Sequence, residues 1–449
     1  MKRIISIGLA ITLCASLALA GGIVTNTNQS AQFIRTLNRN ASTCVDAAYF
    51  NPAGLTKLGD GLYISLSNQS VFQTKEMVST DATFNEDTYE GNVSAPLFPD
   101  VHVAYKMGKL AFGGSFMPIG GGGSAEYEKG LPVIESKVSG LPGTMTYLGI
   151  PGVTGYSMDA TFSGSSVYFG IQAGAAYEIN DMISVAAGGR FVSASNSYEG
   201  HIKDIMVSTA AAGVQTPGNY ARLLATMTSG IDSLTLVGAG MALDAQTADV
   251  VVEDATKTGS GFTAIIGVNL TPMEGLNIGI RYEMQTALEL ETATDVDIEG
   301  VLVDGAKEGA DMPAMLGLGV AYKVMPSLKA EASFNYYMNT AVDWDGAEDN
   351  LDNGFEGGVA FEYKLSDALC ASAGFLYAQG GAKDEYQTDL DYSLNSSTVG
   401  LGVGYSLSEN LGLNVGFANT FYTEGQNAAA TETYNKTSID IAVGVNYSF

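Results

Sequence analysis

The chain writes one unit over and over: an alternating strand that ends near a tyrosine, a polar turn of a few residues, then alternation again. It occurs as AYKMGKLAF (Ala104–Phe112), AYEINDMIS (Ala176–Ser184), GVNLTPMEGLNI (Gly267–Ile278), AYKVMPSLKA (Ala321–Ala330), FEYKLSDAL (Phe361–Leu369) and GYSLSENLGL (Gly404–Leu413). A last, shortened copy is Gly444–Phe449. Period-two alternation gives a strand two unlike faces. In 439–449, Ile439, Ile441, Val443, Val445, Tyr447 and Phe449 share one face, and Asp440, Ala442, Gly444, Asn446 and Ser448 share the other. A soluble sandwich also alternates, but nothing in it demands Tyr or Phe beside one very short turn after another. An aromatic girdle at a membrane interface does. The pattern predicts an all-β fold, a transmembrane antiparallel β-barrel.

Placing strands between the short turns gives about fourteen. They fall near 61–74, 99–107, 109–118, 160–179, 182–199, 258–270, 274–292, 312–324, 327–341, 354–365, 368–382, 394–407, 410–422 and 437–449. The connections opposite the short turns are long, notably 119–159 and 200–257. Within the second, Tyr220, Leu223, Leu224 and Met227 fall at i, i+3, i+4 and i+7, the spacing of a short amphipathic helix. Its apolar side either packs on the barrel mouth or meets an apolar ligand.

The N-terminus carries Lys2 and Arg3, an apolar run from Ile4 to Leu19, and a small-x-small ending at Ala18–Ala20. These are the marks of a cleaved signal peptide, residues 1–20. Cys14 raises a lipoprotein alternative, against which Leu13 stands where a small residue should precede the lipidated Cys. Of the 21 Lys and Arg, 19 remain once Lys2 and Arg3 leave with the signal, against 48 acids, a net charge of −29. Nucleic acid is excluded as a partner on that balance. The acids crowd the long connections (295–311, 343–356, 383–391), as solvated loops or as sites where divalent cations bridge to an anionic lipopolysaccharide surface. Glycine is abundant, 55 residues in 449. Gly400, Gly402 and Gly404, and Gly317 and Gly319, alternate with apolar residues, so they line one strand face. With no helix following they are not nucleotide-binding glycines; small inward residues make room for a plug or a ligand.

Residues 21–60 do not alternate. A polar, turn-rich segment ahead of a barrel either dangles or folds into the lumen, which divides the chain into a hatch, 21–60, and a barrel, 61–449. The stretch Thr25–Leu58, ending in Tyr49-Phe50-Asn51-Pro52-Ala53-Gly54, followed by SLSNQSVF (Ser65–Phe72), resembles the hatch and first strand of the FadL/TodX family. Its most specific part is Asn51-Pro52-Ala53, and Met312–Tyr337 is similar to the family's central hairpin. The resemblance implies an outer-membrane transporter of long-chain fatty acids or other hydrophobic compounds. It implies passive diffusion and sideways release into the membrane where the third strand kinks inward. Gly113-Gly114 is the cheapest place for such a kink, because paired glycines favour bulges. Pro fixes φ and Asn caps or turns a backbone, so Asn51-Pro52-Ala53 has a structural role in setting the hatch as well.

Ligand-contact candidates are Phe33, Ile34, Leu37 and Phe50 of the hatch and the inward Ile265 and Leu376. Arg190, Arg281, Glu283, Lys329, Glu331, Glu362 and Lys364 sit near periplasmic strand ends, where they could hold a polar hatch. No catalytic residue, cofactor or metal site is expected. The two histidines, His102 on a strand and His201 in a loop, show no local Ser/His/acid pattern. The mature cysteines, Cys44 and Cys370, either bridge hatch to barrel or are two unrelated small residues. Partners are a hydrophobic small molecule, outer-membrane lipid or lipopolysaccharide, and the barrel-assembly machinery through the strand ending in Phe449; the barrel is expected as a monomer. The rival readings are a structural or adhesive outer-membrane barrel and, behind it, a polar-solute porin.

Overall fold

The computed structural model describes residues 23–28, 30–227, 231–296 and 302–449; the expected signal segment lies outside them. Ahead of the strands come two short helices, α1 (Ala31–Thr36) and α2 (Ala47–Phe50), and a 3-10 turn, Pro52–Lys57. Fourteen antiparallel strands then close into a barrel. They are β1 (Gly61–Ser79), β2 (Thr88–Met107), β3 (Leu110–Tyr127), β4 (Val153–Asn180), β5 (Ile183–Thr209), β6 (Val250–Met273) and β7 (Leu276–Glu283). The second half is β8 (Met315–Met325), β9 (Leu328–Tyr337), β10 (Gly354–Lys364), β11 (Leu369–Gln379), β12 (Ser396–Ser406), β13 (Leu411–Tyr422) and β14 (Glu432–Ser448). Each pairs with its neighbour in sequence, and β14 returns to β1 without interruption from Tyr63–Ser448 to Ser79–Glu432. Closure leaves no edge, which is the condition for backbone to lie in lipid. Among the described residues no helix is long and apolar enough to cross a membrane.

The barrel is inside out relative to a soluble protein. Along β12, Val399, Leu401, Val403 and Tyr405 are 41–50% exposed, while the alternate glycines face the lumen. Six outward tyrosines stand at the short-turn ends of alternate strands: Tyr105, Tyr177, Tyr322, Tyr363, Tyr405 and Tyr447. They form the girdle read from the repeats, at the level where an amphipathic ring bridges lipid and water.

Several strands run further than expected. β2 begins at Thr88 rather than near 99, and β3 continues to Tyr127. β4 and β5 reach 28 and 27 residues, where about ten cross a bilayer. The surplus projects beyond the long-loop end, and His201 therefore sits in β5, beside Asp159, rather than in a loop. The intervening connections shrink to 128–152 and 210–249. The first carries α3 (Pro132–Ser139) and α4 (Leu141–Tyr147), the second α5 (Pro217–Met227) and α6 (Ile231–Gln246). Tyr220, Ala221 and Ala225 of α5 pack with Ile205 and Val207 of β5, Met145 of α4 and Leu243 of α6. Leu223 and Met227 of the expected apolar face are exposed, so the helix buries Tyr220, Ala221 and Ala225 against the barrel mouth rather than the face its spacing predicted. The strand expected over 274–292 stops at Glu283; beyond it Glu289–Ala293 forms a short ribbon with Lys307–Gly309 and the upper part of β6.

Candidate functional site

From residue 23 to 56 nearly every described residue is buried, because the segment runs through the lumen. Inward glycines are what let it pass. A Cβ on Gly319 would stand 2.5 Å from the Ala41 nitrogen, and one on Gly400 2.7 Å from the Ile34 carbonyl oxygen. Gly374 and Gly416 likewise face Thr36 and Ile34. The small-residue face read from sequence therefore accommodates backbone of the plug. Asn51 begins the 3-10 turn: its Oδ1 accepts from the Ala53 N–H at 3.3 Å, and Pro52 starts the turn with its fixed φ. The other end of the Asn51 amide donates to the Val268 carbonyl of β6 at 2.9 Å. The Asn-Pro-Ala unit thus pins the hatch to the wall.

Charge does the rest of the fastening. Arg190 of β5 donates twice to Glu283 of β7, at 2.5 and 3.0 Å, and Arg281 reaches the same carboxylate. Both guanidiniums lie over the Tyr49 ring, 5.1 and 4.9 Å from its centroid. Arg35 of α1 donates to Glu362 of β10 at 2.5 Å. Within the hatch, Arg39 grips Asp46 through Nε and Nη2 at 2.7 and 2.8 Å. Burial raises the Asp46 pKa, but the Arg39 guanidinium and the Ser42 hydroxyl outweigh it and hold the carboxyl down at about 2. Lys329 joins Glu331 and Glu362 to the same network. Of the seven charged residues expected to hold a hatch, Lys364 alone is exposed at its strand end.

The wall is broken between β2 and β3. Pairing runs regularly from Met107–Leu110 to Val101–Phe116, stops, and resumes only at Val93–Ala125. Through the gap, Met117–Gly122 are buried without alternation, so β3 dips into the lumen. Its register against β4 shifts at Pro118, Gly120 and Gly123, and Gly121 and Gly123 take φ of 88° and 70°, which glycine adopts without a Cβ penalty. The kink is therefore not at Gly113-Gly114, which pair in unbroken register with both neighbouring strands. Gly113 instead gives way to Leu55 and Ala48 of the hatch, and Gly114 faces outward, where a Cβ would make only an ordinary contact with Gln172 O at 3.8 Å. A recess of about 240 Å3 opens at the break, lined by Leu97, Phe98, Pro99, Pro118, Val167 and Phe169 among others. The kinked backbone is satisfied by the hatch: the Asn26 N–H donates to Ile119 O at 2.7 Å and its side chain to Gly121 O at 3.0 Å.

Five of the six candidate contact residues, Phe33, Ile34, Leu37, Phe50 and Leu376, fall in one apolar cluster. That cluster also holds Met117 and Ile119 of the kink and, towards the long loops, Val342, Trp344 and Tyr386. Ile265 is buried but lies outside it. Trp344 and Ile119 were missed from sequence because neither belongs to a regular alternating strand.

The structure aligns three residues that no local pattern joined. His102 shares a hydrogen bond with Ser115 at 2.9 Å, and its Nε2 lies 3.1 Å from Asp100. Asp100 accepts from Ser67, which itself accepts from the Ala31 N–H of α1. All are buried against the hatch, so the array fastens it. Cys44 and Cys370 are free thiols; Cys370 accepts from Arg35 at 3.1 Å, and Cys44 is exposed. An impermeant maleimide is expected to label Cys44 in the folded barrel and Cys370 only after denaturation, with two thiols titrating in the absence of reductant. A single protected pair before reduction would contradict this.

A closed barrel with an apolar outer surface, a lumen-filling N-terminal plug and a breach in its third strand defines a plugged transmembrane β-barrel. Its fold is that of the FadL/TodX-type proteins. A Pseudomonas aeruginosa FadL homologue superposes with a TM-score of 0.64 at 14% identity, over 96% of this chain and 100% of that one. The P. putida toluene transporter TodX gives 0.59 at 15%, over 91% and 95%. The CymD monoaromatic hydrocarbon channel gives 0.52 at 12%, over 96% and 99%. No family model and no curated protein sequence matches the chain.

Proposed function

We propose that this chain is a FadL/TodX-type channel of the Gram-negative outer membrane. In this reading it takes up long-chain fatty acids or other hydrophobic compounds by passive diffusion and releases them sideways through the gap between β2 and β3. One observation carries the reading: a continuous apolar cluster leads from Trp344 and Tyr386 at the long-loop end to Met117 and Ile119 at the kink, where the wall is unpaired. A greasy solute that left through the short-turn end would expose its apolar surface to water at ~25 cal/mol per Å2; the gap leads it to lipid instead. The turns at the tyrosine-ringed end are short, as periplasmic turns are in such barrels, which supports setting that end on the periplasmic side. A polar-solute porin is disfavoured by the hatch, which occupies the lumen.

Cells lacking their own fatty-acid transporter are expected to accumulate labelled long-chain fatty acid when they express this chain. Toluene and alkanes tested in the same cells identify the solute class. Uptake of all of these at the empty-vector level, with the barrel present in the membrane, would refute the proposal.

A further inference from the structure

The two sides of the breach are held from different directions. On the β3 side the kinked backbone is met by Asn26 of the hatch, from inside the lumen. On the β2 side Ala95, Leu97, Phe98 and Pro99 line the recess, and the ladder with β3 breaks off at Val101 and resumes at Val93. Neither Pro96 nor Pro99 has an N–H to donate, which is why proline belongs at strand edges and bulges. A strand in the middle of a closed barrel thus carries the sequence of an edge.

A bulge shapes that segment. β1 and β2 pair Gln69 with Phe98 and then Val71 with Ala95, so Pro96 and Leu97 together face the single Ser70. Both are exposed on the outer surface, Leu97 at 77%. Two side chains of β1 hold the bulge. Asn68 Oδ1 accepts from the Phe98 N–H at 3.0 Å, and its Nδ2 donates to the Pro96 carbonyl at 3.0 Å. Ser70 donates to the same carbonyl at 2.9 Å. Asn68 and Ser70 share the outward face of β1 with the exposed Leu66 and Phe72. Asn68 stands opposite Pro99, six residues along β2 from the girdle residue Tyr105. At the rise and ~40° tilt of a barrel strand that is a depth of ~15 Å, near the middle of the hydrocarbon band. An amide at that depth is costly unless both of its ends are bonded, and both ends of Asn68 are bonded to the β2 rim.

We propose that Asn68 is a positioning residue for sideways release. Acting from the lipid side, its amide replaces ladder bonds that the β2 rim lacks, fixes the outward bulge and keeps residues 96–99 from closing on β3. The proposal rests on the channel reading above and adds to it how the gap stays open. The hatch holds one side of the gap and β1 the other, so a shift of the hatch moves the β3 side alone. With an apolar residue at position 68 the Phe98 N–H has no partner in hydrocarbon, and the rim satisfies itself across the breach and narrows it.

The test compares cellular uptake and equilibrium binding of tritiated palmitate and radiolabelled toluene. Asn68→Val suits an apolar strand face, and its loss of two hydrogen bonds is expected to slow uptake at least about fivefold. Binding to the purified full-length barrel in non-ionic detergent should stay within about twofold, because the apolar cluster at the hatch is distant from the change. Ser70→Ala leaves both Asn68 bonds in place and should keep uptake. Asn68→Gln carries the same donor and acceptor and should recover at least about half of it. Heat-modifiable gel mobility verifies that each barrel is folded. Unchanged uptake by a folded Asn68→Val barrel overturns the proposal and leaves the channel reading in place. So does a loss of uptake matched by an equal loss of binding or of the folded mobility, which would assign Asn68 to the stability of the wall. A Ser70→Ala or Asn68→Gln barrel as slow as Asn68→Val also overturns it. If the unaltered barrel takes up neither probe, the channel reading falls and this role falls with it.

Discussion

A Gly121→Leu barrel is expected to lose at least about tenfold of its uptake, while Gly114→Leu, seven residues away on the same strand, keeps it. Gly121 takes φ of 88°, a left-handed conformation that costs an L-residue roughly 1–2 kcal/mol. A Cβ there would also stand 2.5 Å from Ser166 O and 2.8 Å from the Val167 Cα of β4. The strand can relieve both only by leaving its inward course, which closes the recess at the break. Gly114 faces outward, where a Cβ meets nothing nearer than Gln172 O at 3.8 Å, so a leucine there adds to the lipid-facing surface. Labelled-solute uptake, with gel mobility as the folding control, separates the two. Equal uptake by both variants would show that the break between β2 and β3 is not the exit.

Removing the charge of Glu283 is expected to loosen the hatch. Its carboxylate serves Arg190 and Arg281 together, both buried and both stacked on Tyr49. Glu283→Gln leaves two guanidiniums enclosed with no anion between them. Breaking a buried pair by deleting one partner costs about 3–5 kcal/mol. The wall is held by backbone ladders on both sides of β7, so the hatch yields before the barrel does. Limited proteolysis should cut within 23–58 in this variant and spare the unaltered protein, and planar-bilayer recordings should show a conductance the plugged barrel lacks. A variant as resistant and as closed as the parent would mean that the array does not retain the plug.

The barrel was legible because its cause is local. Alternation and a tyrosine before the turn are properties of single segments, and they survive at the short-turn ends of β2, β4, β8, β10, β12 and β14. The alternating glycines at 400–404 and 317–319 were likewise readable as space, since a strand face left small must face something. The kink was not. Among 55 glycines the pair at 113–114 carries no special signal, and the true break at Pro118–Gly123 depends on Thr25 and Asn26, more than ninety residues away. The contact residues divide in the same way. Phe33, Ile34 and Leu37 are apolar side chains in a polar segment and announce themselves, whereas Trp344 reaches the cluster from a loop whose course only the fold decides. His102, Ser115 and Asp100 meet because β2 and β3 lie side by side in a particular register, and one strand read alone does not reveal its register against the next.

The partners of the hatch are spread around the whole circumference. Thr27 bonds to Glu356, Arg35 to Glu362, Asn51 to Val268 and Gln172 to Ala48, across separations of 329, 327, 217 and 124 residues. The hatch, which is made before the strands that enclose it, is therefore the portion whose resting place is completed last. Until β14 meets β1 there is no cylinder to occupy, and each of those distant contacts carries the entropy of closing a very long loop. Assembly of this molecule thus has a built-in order, wall before stopper, and a nascent N-terminal segment rich in asparagine, serine and threonine is suited to waiting in water until its socket exists.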